Sequence, residues 1–573
     1  MSNLIYACWR EGTDALPTGA LARVADRIRP SQLSGHPHQV VETPREALCL
    51  TGPVGAAVMS GLSAHLGAFA GEWKDWHRPG SPVPDGTFAL IRSDGAITEL
   101  CSDFAGSRTI WYALTETRFF ASTSQRALLC LLGDLDLNRR AFAWFLSSGT
   151  LGPTDAWDAR LRRLPREARL TLDRTRWTVD LRAAPLAFDP VPMKAAECRE
   201  ALLEILRASV RRFDFTKARW ALPLSGGYDC RFILGVLVES GLRPPTMTWG
   251  LASSRTQPGN DAFIAEKLAA HHGLPHDYLL TERTEDAPEA IVDRFLAASG
   301  GTTDQLFPYL DGLRMWAAFA DQGVAGVIRG DEGFGWIPVK TGTHARNSVG
   351  LVLLSDFMDP SMAEEIADGG QILPEAWMRH PDESIPVYRD RLYHGYRIPI
   401  GLAALNDVKA PFVEIASPLL AREVLSFVRR MPDVQRTDKA LFRQIATSLS
   451  PPLPYATMGA DDDRNGYLRS DPYTLWFKEE LVSAEANTLL PPSLQAELLA
   501  GLRGPVSGGN ASRSMRAALK RIIPSAWVKA ARAQMGPERP SQRLLALRAA
   551  LASRMIRMLE QDARTLKAGA SGW

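Results

Sequence analysis

The sequence predicts an α/β protein, in which a β-rich first part precedes a parallel sheet covered by helices on both faces. In residues 1–185, short apolar runs are separated by Gly, Asp and Pro, which is typical of packed antiparallel sheets. From residue 218 onward, short apolar runs alternate with helical periodicity, which is typical of a doubly wound parallel sheet. A proline-rich segment with Pro185, Pro190 and Pro192 separates the two parts.

Each element has its own local signal, either alternation bounded by turn residues or apolar spacing of helical period. In the first part we predict strands at 85–92, 97–101, 109–114 and 119–122 and a helix at 125–132. In the second part we predict helices at 197–212, 232–239 and 262–271, and strands at 220–224, 245–250 and 324–328. Ligands of such sheets bind at the carboxyl ends of the strands, so the residues after the last three strands should converge there.

The composition is that of an ordinary globular protein, with 45% hydrophobic and 23% charged residues among 573. The six cysteines are scattered without a Cys-x-x-Cys pair, which argues against a structural zinc site and a disulfide scaffold. Neither a signal-peptide pattern nor an apolar run long enough to cross a bilayer is evident. We therefore expect a cytoplasmic protein without a membrane partner.

The net charge of +2 conceals an asymmetry, because residues 501–573 contain 14 Lys and Arg but only 3 Asp and Glu. We predict a basic helical C-terminal extension at 451–573, since Leu544, Leu547 and Leu551 have helical apolar spacing. Such a helix either binds an acidic partner or presents a solvated face while it closes the domain. We favour the second interpretation.

The most informative stretch is 222–231, with the sequence Leu-Pro-Leu-Ser-Gly-Gly-Tyr-Asp-Cys-Arg. An apolar strand leads into Ser225, Gly226 and Gly227, and a helix follows. Glycines allow close backbone approach to an anion, and a helix N-terminus favours negative charge, so the loop could hold phosphates. Asp229 in the first helical turn could bind Mg²⁺ beside them. Taken alone, Ser-Gly-Gly is equally often an ordinary tight turn.

This stretch resembles the pyrophosphate loop, Ser-Gly-Gly-x-Asp-Ser, of the asparagine synthetase family and its ATP-pyrophosphatase relatives. Cys230 replaces the family's second Ser, and a thiol is the weaker hydrogen-bond donor. The resemblance covers residues 195–450 and implies a doubly wound ATP-pyrophosphatase domain. It implies ATP and Mg²⁺ as cofactors, with the nucleotide's phosphates held by Ser225, Gly226, Gly227 and Cys230.

Two further turns in the second part match this family. Residues 329–335, Arg-Gly-Asp-Glu-Gly-Phe-Gly, resemble its second signature, although the turn is about two residues shorter. The resemblance implies that Asp331 is the second Mg²⁺ ligand beside Asp229, with Gly330 in the nucleotide site; Glu332 could instead brace the turn. Gly250, after the strand at 245–250, is expected to meet the adenine base.

The family likeness continues in two segments and in the helix that Asp261 opens. Asp261 matches a family Asp, but it could equally be an ordinary helix N-cap. Residues 436–443 match the family's Lys-x-x-x-Arg helix, which makes Lys439 the catalytic cation near the α-phosphate, with Asp229 and Asp331 as its catalytic partners. Lys439 could otherwise be a surface lysine. Residues 414–420 resemble a third segment, in which Ala416 and Ala421 replace the family's Arg and Asp.

Residues 1–185 resemble the glutaminase domain of glutamine amidotransferases, an Ntn-hydrolase-like αββα sandwich. The matching segments are 85–89, 103–108, 111–112 and 120–124. Those glutaminases use an N-terminal Cys, whereas position 2 is Ser2 and the nearest cysteine, Cys8, should be a core residue. We expect a degenerate domain without glutaminase activity; the alternative is that Ser2 is itself an N-terminal nucleophile.

The resemblance implies an AMP-forming amide ligase, in which a carboxylate attacks the α-phosphate of ATP and an amine then displaces AMP. The layout is most similar to β-lactam synthetases and, above all, to lasso peptide macrolactam synthetases. It implies a peptide or small-molecule substrate and, with a peptide, a leader-binding protein and a precursor protease as partners. The alternatives are an asparagine synthetase using ammonia or glutamine and a non-catalytic scaffold with a decayed site. RNA modification is disfavoured because no RNA-binding module is evident.

Overall fold

A computed structural model describes residues 2–33, 38–282, 284–460, 469–502 and 540–567. It shows an α/β protein with two antiparallel sheets in the N-terminal part, a parallel sheet after them and many helices, which confirms the predicted class. Within these residues, no helix is both long enough and apolar enough to cross a membrane.

The strands are numbered along the chain. They are β1 Asn3–Trp9, β2 Gln39–Thr43, β3 Glu46–Thr51, β4 Ala57–Ser60, β5 Ser63–Phe69, β6 Gly86–Ser93, β7 Ile97–Ser102, β8 Trp111–Leu114, β9 Arg118–Ser122, β10 Arg162–Arg163, β11 Ala168–Asp173, β12 Thr178–Ala183, β13 Trp220–Pro223, β14 Thr246–Gly250, β15 His276–Leu280, β16 Gly326–Ile328 and β17 Glu414–Ala416. The α-helices are Ala20–Ile28, Gln125–Leu132, Arg139–Ser148, Ala195–Arg212, Tyr228–Glu239, Asp261–His271, Pro288–Ser299, Arg314–Asp321, Gly342–Ser348, Pro360–Ala367, Ile385–Leu392, Ala403–Asp407, Arg422–Arg430, Asp433–Arg436, Ala440–Ser448, Asp471–Leu481, Ala484–Leu489, Pro492–Gly501 and Gln542–Ala563. A π-helix, Tyr393–Leu402, continues Ile385–Leu392.

The N-terminal part consists of two six-stranded antiparallel sheets, ordered β10-β8-β9-β1-β3-β2 and β12-β11-β7-β6-β5-β4. Strand β1 shows how they pack, because Leu4, Tyr6 and Cys8 face the second sheet while Ile5 and Ala7 face the helices on the other side. Both faces of β1 are therefore buried, which explains its unbroken apolar sequence.

The parallel sheet has the order β15-β14-β13-β16-β17, with β13 at its centre. Alternate residues of β13 enter different cores: Trp220 and Leu222 pack with the helices Ala195–Arg212 and Tyr228–Glu239, and Ala221 with Pro288–Ser299 and Arg314–Asp321. Helices thus cover both faces, as the alternation predicts. The helix after β13 begins at Tyr228, so Asp229 lies in its first turn as expected, and the amphipathic run at 232–239 is the later part of the helix.

The C-terminal helix Gln542–Ala563 is an integral part of the core. Its apolar residues pack against helices of the N-terminal part, and its buried Arg548 donates to Asp304 at 2.7 Å and to the carbonyls of Leu146 and Ser147. Arg554 pairs with Asp293 at 2.8 Å. The described basic residues of this helix therefore bind other parts of the same chain. The helix closes the fold, as the favoured interpretation expected, but its basic residues do not form a solvated face. Eight of the 14 basic residues of 501–573 lie outside the described residues.

His65 in β5 should make the stability of the protein depend on pH. The ring is 7% exposed and packs against Phe69 and Trp76, and burial lowers its pKa to about 3. The unfolded chain takes up a proton near pH 6.5 and the folded chain does not, so stability is lost as the pH falls below that value. Between pH 7 and 5 the loss is about 2 kcal/mol. Urea unfolding should show that His65→Phe removes this loss and that His380→Phe, at an exposed position, does not; equal pH dependence in both variants would contradict it.

Candidate functional site

A cavity of about 440 Å³ opens at the carboxyl ends of β13, β14 and β16. Ser225, Asp229, Cys230, Gly330 and Asp331 all line it. The predicted convergence of these residues is therefore found in the structure, because parallel strands end at the same edge of the sheet.

The segment at 453–456, more than 200 residues later in the chain, packs against the 225–227 loop. Arg231, which is 2% exposed, donates to the carbonyls of Leu453 and Pro454 and stacks on Tyr455 at 4.0 Å. Ala456 consequently packs so closely that a Cβ on Gly226 would lie 2.4 Å from its methyl group. Glycine is required at 226 for this contact with protein, in addition to any approach of an anion.

One interpretation of the sequence made Asp261 the N-cap of its helix, and that interpretation is wrong. Asn260 is the N-cap, and its side chain accepts from the N–H of Ala262. Asp261 instead accepts a hydrogen bond from the backbone N–H of Gly226 at 2.9 Å, and it lines the cavity. One of the two glycine N–H groups expected to face phosphate is therefore bound to a carboxylate.

Lys439 lies between two carboxylates at the cavity. Its Nζ is 3.0 Å from both oxygens of Asp229 and 2.9 Å from Oε1 of Glu332. These acids raise the pKa of Lys439 despite its burial, so it remains an ammonium. Burial, and secondarily the negative charges of Glu332 and Asp331, raise the pKa of Asp229 to about 6 against the attraction of Lys439. The predicted cation and the predicted Mg²⁺ ligand are thus brought together.

Lys439 precedes its helix instead of lying within it. The helix is Ala440–Ser448, and Asp438 and Lys439 both have left-handed backbone conformations, with φ of 55°. Two contacts fix this turn: the N–H of Asp438 donates to the carbonyl of Trp336 at 2.9 Å, and Arg443 binds both carboxylate oxygens of Asp438. The strained pair directs Lys439 back toward the sheet edge.

The turn at 329–335 is shorter than the family's signature, but it still places Glu332 against Lys439. Glu332 is 5% exposed, and its Oε2 accepts from the N–H of Phe334 at 2.6 Å while Oε1 holds Lys439. Phe334 stacks on Phe442 with ring centroids 4.2 Å apart. Glu332 therefore braces the turn, as one sequence interpretation predicted, and also completes the charge cluster.

Asp331 also lines the cavity and is bound by a different set of side chains. Its carboxylate is within 3.4 Å of Nη2 of Arg329 and accepts from Asn406 at 3.3 Å and Ser417 at 3.5 Å. Burial raises the pKa of Asp331, but the charges of Arg329 and Lys409 outweigh it and hold the pKa below its ordinary value. Asp331 is therefore an anion at neutral pH.

The wall beside β14 is formed by Thr248 and Trp249. Gly250 itself packs against protein, because a Cβ there would lie 2.6 Å from Ala460 and 2.8 Å from the hydroxyl of Tyr278. The structure thus places the predicted adenine contact, Gly250, just behind the cavity wall.

The Ser2 region lies where the N-terminal part meets β17. The Ser2 hydroxyl donates to the carboxylate of Glu414, and Arg108 donates to the Ser2 carbonyl at 3.3 Å and to Glu414 at 3.4 Å. The adjoining cavity measures about 30 Å³, room for one or two water molecules. Cys8 is fully buried, and burial raises its pKa to about 12, which confirms it as a core residue.

The carboxylates at the cavity fit Mg²⁺ in their chemistry. Asp229 and Asp331 both line the cavity, and burial first, then the negative charges of Glu332 and Asp331, raise the pKa of Asp229. Mg²⁺ commonly takes only one or two protein carboxylates and completes its shell with water and phosphate. In the described part of the chain, no group of three or more His, Cys, Asp or Glu side chains is placed to hold a metal ion.

Two residues of the site escaped sequence reasoning. Lys409 is buried and within 3.3 Å of Asn406, and burial together with Arg329 lowers its pKa to about 7. The sequence analysis gave no role to Arg329, the first residue of the 329–335 turn, yet it lines the cavity. The available signal was a lysine within the apolar run at 408–416.

No protein-family model matches this chain, and the search of curated proteins found no significant match.

Proposed function

We propose that this protein is an ATP-dependent, AMP-forming amide ligase with the fold of an Ntn-hydrolase-like αββα sandwich joined to an ATP-pyrophosphatase domain. The observation that carries the proposal is the ion pair of Lys439 with Asp229, a carboxylate that lines the same cavity as Ser225. This arrangement brings a phosphate-binding type of loop and oxygen ligands together in one cavity and binds a permanent cation to one of those ligands.

Each group has a role in the first half-reaction. A substrate carboxylate attacks the α-phosphate, forming an acyl-adenylate and releasing pyrophosphate. The 225–227 loop and the start of the Tyr228–Glu239 helix hold the departing pyrophosphate. Lys439 stabilises the negative charge that develops around the α-phosphate. Asp229 and Asp331 would hold Mg²⁺, which supplies charge neutralisation to the phosphates.

In the second half-reaction an amine attacks the acyl carbon and AMP leaves, so that an amide forms. The tight packing around Ser2 and the small cavity beside it support an amine that does not come from glutamine hydrolysis in the N-terminal part. We favour an amine of the substrate itself, which makes the product a macrolactam of a lasso-type precursor peptide. Asparagine synthesis with free ammonia is the second candidate, because the same site chemistry serves it.

Cys230 provides a test of the nucleotide site that requires no acyl substrate. It lines the cavity and is half-buried, whereas the other five cysteines are buried. Burial raises its pKa, so labelling is best done near pH 9. We expect iodoacetamide to modify Cys230 and Mg-ATP to slow the reaction at least fivefold, as measured by mass spectrometry of the peptides.

The matched control is Asp229→Asn, which should weaken this protection because it removes a ligand expected to hold Mg²⁺ beside the phosphates. Mg-GTP at equal concentration controls for non-specific effects of a triphosphate. If saturating Mg-ATP leaves the alkylation rate of Cys230 unchanged, the proposed nucleotide site is wrong. ATP–pyrophosphate exchange across a panel of carboxylates then identifies the acyl donor.

A further inference from the structure

Arg329 is a guanidinium in the cavity wall whose hydrogen-bonding capacity is largely unused. An arginine has five N–H donors. Its side chain makes one hydrogen bond to the described residues, from Nη2 to Asp331 at the long distance of 3.4 Å, and its buried Nε has no partner among them. Buried polar groups are nearly always hydrogen-bonded, so this geometry calls for a further acceptor in the cavity.

The position of Arg329 separates it from the proposed nucleotide site. It follows β16, on the opposite side of β13 from β14, and its backbone N–H donates to the Ala416 carbonyl of β17 at 2.7 Å. With the diphosphate at the loop after β13, as proposed above, the side of the cavity at β16 is left for the acyl donor. Arg329 is the cation among the residues that line this side of the cavity.

Asp331 does not use up the binding capacity of Arg329. Arg329 and the buried Lys409, whose pKa burial lowers to about 7, both act on Asp331. Asn406 and Ser417 share that carboxylate with Arg329. Arg329 therefore retains both charge and donors for a second anion, and its planar fork matches the two oxygens of a carboxylate.

We propose that Arg329 binds the carboxylate of the acyl donor and holds it beside the 225–227 loop. The proposal rests on the ligase function proposed above and adds the residue that selects an acid as substrate. The substrate is thus a molecule with an accessible, ionised carboxylate, which Arg329 orients toward the α-phosphate.

Cys230 allows a test with a carboxylate of known structure. Gly330 packs closely against the start of the Tyr228–Glu239 helix, since a Cβ on it would lie 2.7 Å from Cβ of Asp229 and 3.4 Å from the Cys230 nitrogen. Arg329 and Cys230 line the same cavity. Iodoacetate carries a carboxylate and iodoacetamide is its neutral analogue. With either reagent the Cys230 thiolate forms an S–C bond, iodide leaves, and the thiol proton passes to buffer. The ratio of the two rates therefore reports carboxylate binding and cancels any change in the thiol pKa.

We expect Arg329→Gln to lower the iodoacetate-to-iodoacetamide ratio at Cys230 about tenfold, the effect of losing a charge-assisted hydrogen bond. Arg329→Lys should restore part of the ratio because it keeps the charge. Arg219→Gln, which changes an exposed arginine next to the start of β13, is the matched control and should leave the ratio unchanged. An unaltered ratio in Arg329→Gln would overturn the proposal.

Competition distinguishes a carboxylate site from a phosphate site. Acetate should lower the ratio because it competes for Arg329, whereas inorganic pyrophosphate should slow both reagents alike by covering Cys230. A ratio lowered by pyrophosphate and not by acetate would assign Arg329 to the phosphates of the nucleotide and overturn the proposal. Failure of Mg-ATP to protect Cys230, with the Arg329 effect intact, would instead refute the ligase and leave Arg329 as a carboxylate site.

Discussion

Replacing Lys439 with methionine is expected to reduce AMP formation by a factor of about 10²–10³, which is the typical loss when one preorganised donor to transition-state charge is removed. The reason is geometric, since Nζ lies within 3.0 Å of two acids at the cavity and is held there by the left-handed turn of Asp438 and Lys439. Arg329, the cation that lines the cavity, is bound to Asp331 and makes no ion pair with Asp229.

The measurement is the steady-state rate of AMP release with the carboxylate that supports ATP–pyrophosphate exchange in the unaltered protein. Lys267→Met, on the exposed face of the Asp261–His271 helix, is the matched control and should retain full activity. Protection of Cys230 by Mg-ATP verifies that the cavity of Lys439→Met is intact. A rate within threefold of the unaltered protein would show that Lys439 has no catalytic role.

Replacing Asp390 with alanine is expected to cost about 3–5 kcal/mol in the free energy of unfolding. Asp390 is 1% exposed and accepts from Arg389 at 2.7 Å through both oxygens and from Arg436 at 2.5 Å. Both arginine side chains are fully buried, so loss of the carboxylate would leave their two charges only Asp433, a partly exposed acid at 3.7 Å from Arg389 and 3.4 Å from Arg436.

Urea unfolding at pH 7 provides the measurement, with Asp180→Ala as the control because Asp180 forms an exposed ion pair with Arg182 that should contribute little. Activity is a second readout, because Arg436 precedes Lys439 by only three residues. Arg436 also packs closely against Gly335, where a Cβ would lie 2.6 Å from the Arg436 carbonyl. A loss below 1 kcal/mol would mean that the arginines find other partners.

Local sequence patterns predicted the helices and strands well, because a helix or strand depends largely on residues that are close along the chain. The strand at 220–224 and the glycine turn after it are found with β13 ending at Pro223, and the helix at 125–132 has the predicted bounds. Apolar periodicity marked only residues 232–239 of the next helix, whereas the glycine turn before it correctly placed Asp229 in the first helical turn.

The charged contacts of the site were harder to predict. An N-cap role was one prediction for Asp261, because an Asp at a helix start usually accepts a hydrogen bond within its own helix. Asp261 instead accepts from Gly226, 35 positions away. Lys409, which precedes β17, acts on Asp331, which follows β16, because these two strands are neighbours in the sheet. Helical spacing in the C-terminal residues indicated a buried face, but it did not reveal that this face packs against the N-terminal part.

Periodicity and turn residues, which are local, were sufficient to predict an α/β fold with Ser225, Asp229 and Asp331 at one edge of the parallel sheet. They did not predict that Lys439 would bind Asp229 and Glu332 or that Lys409 would act on Asp331. Lys439 and Asp229 are 210 positions apart, so their contact depends on how whole helices and strands pack in the folded chain.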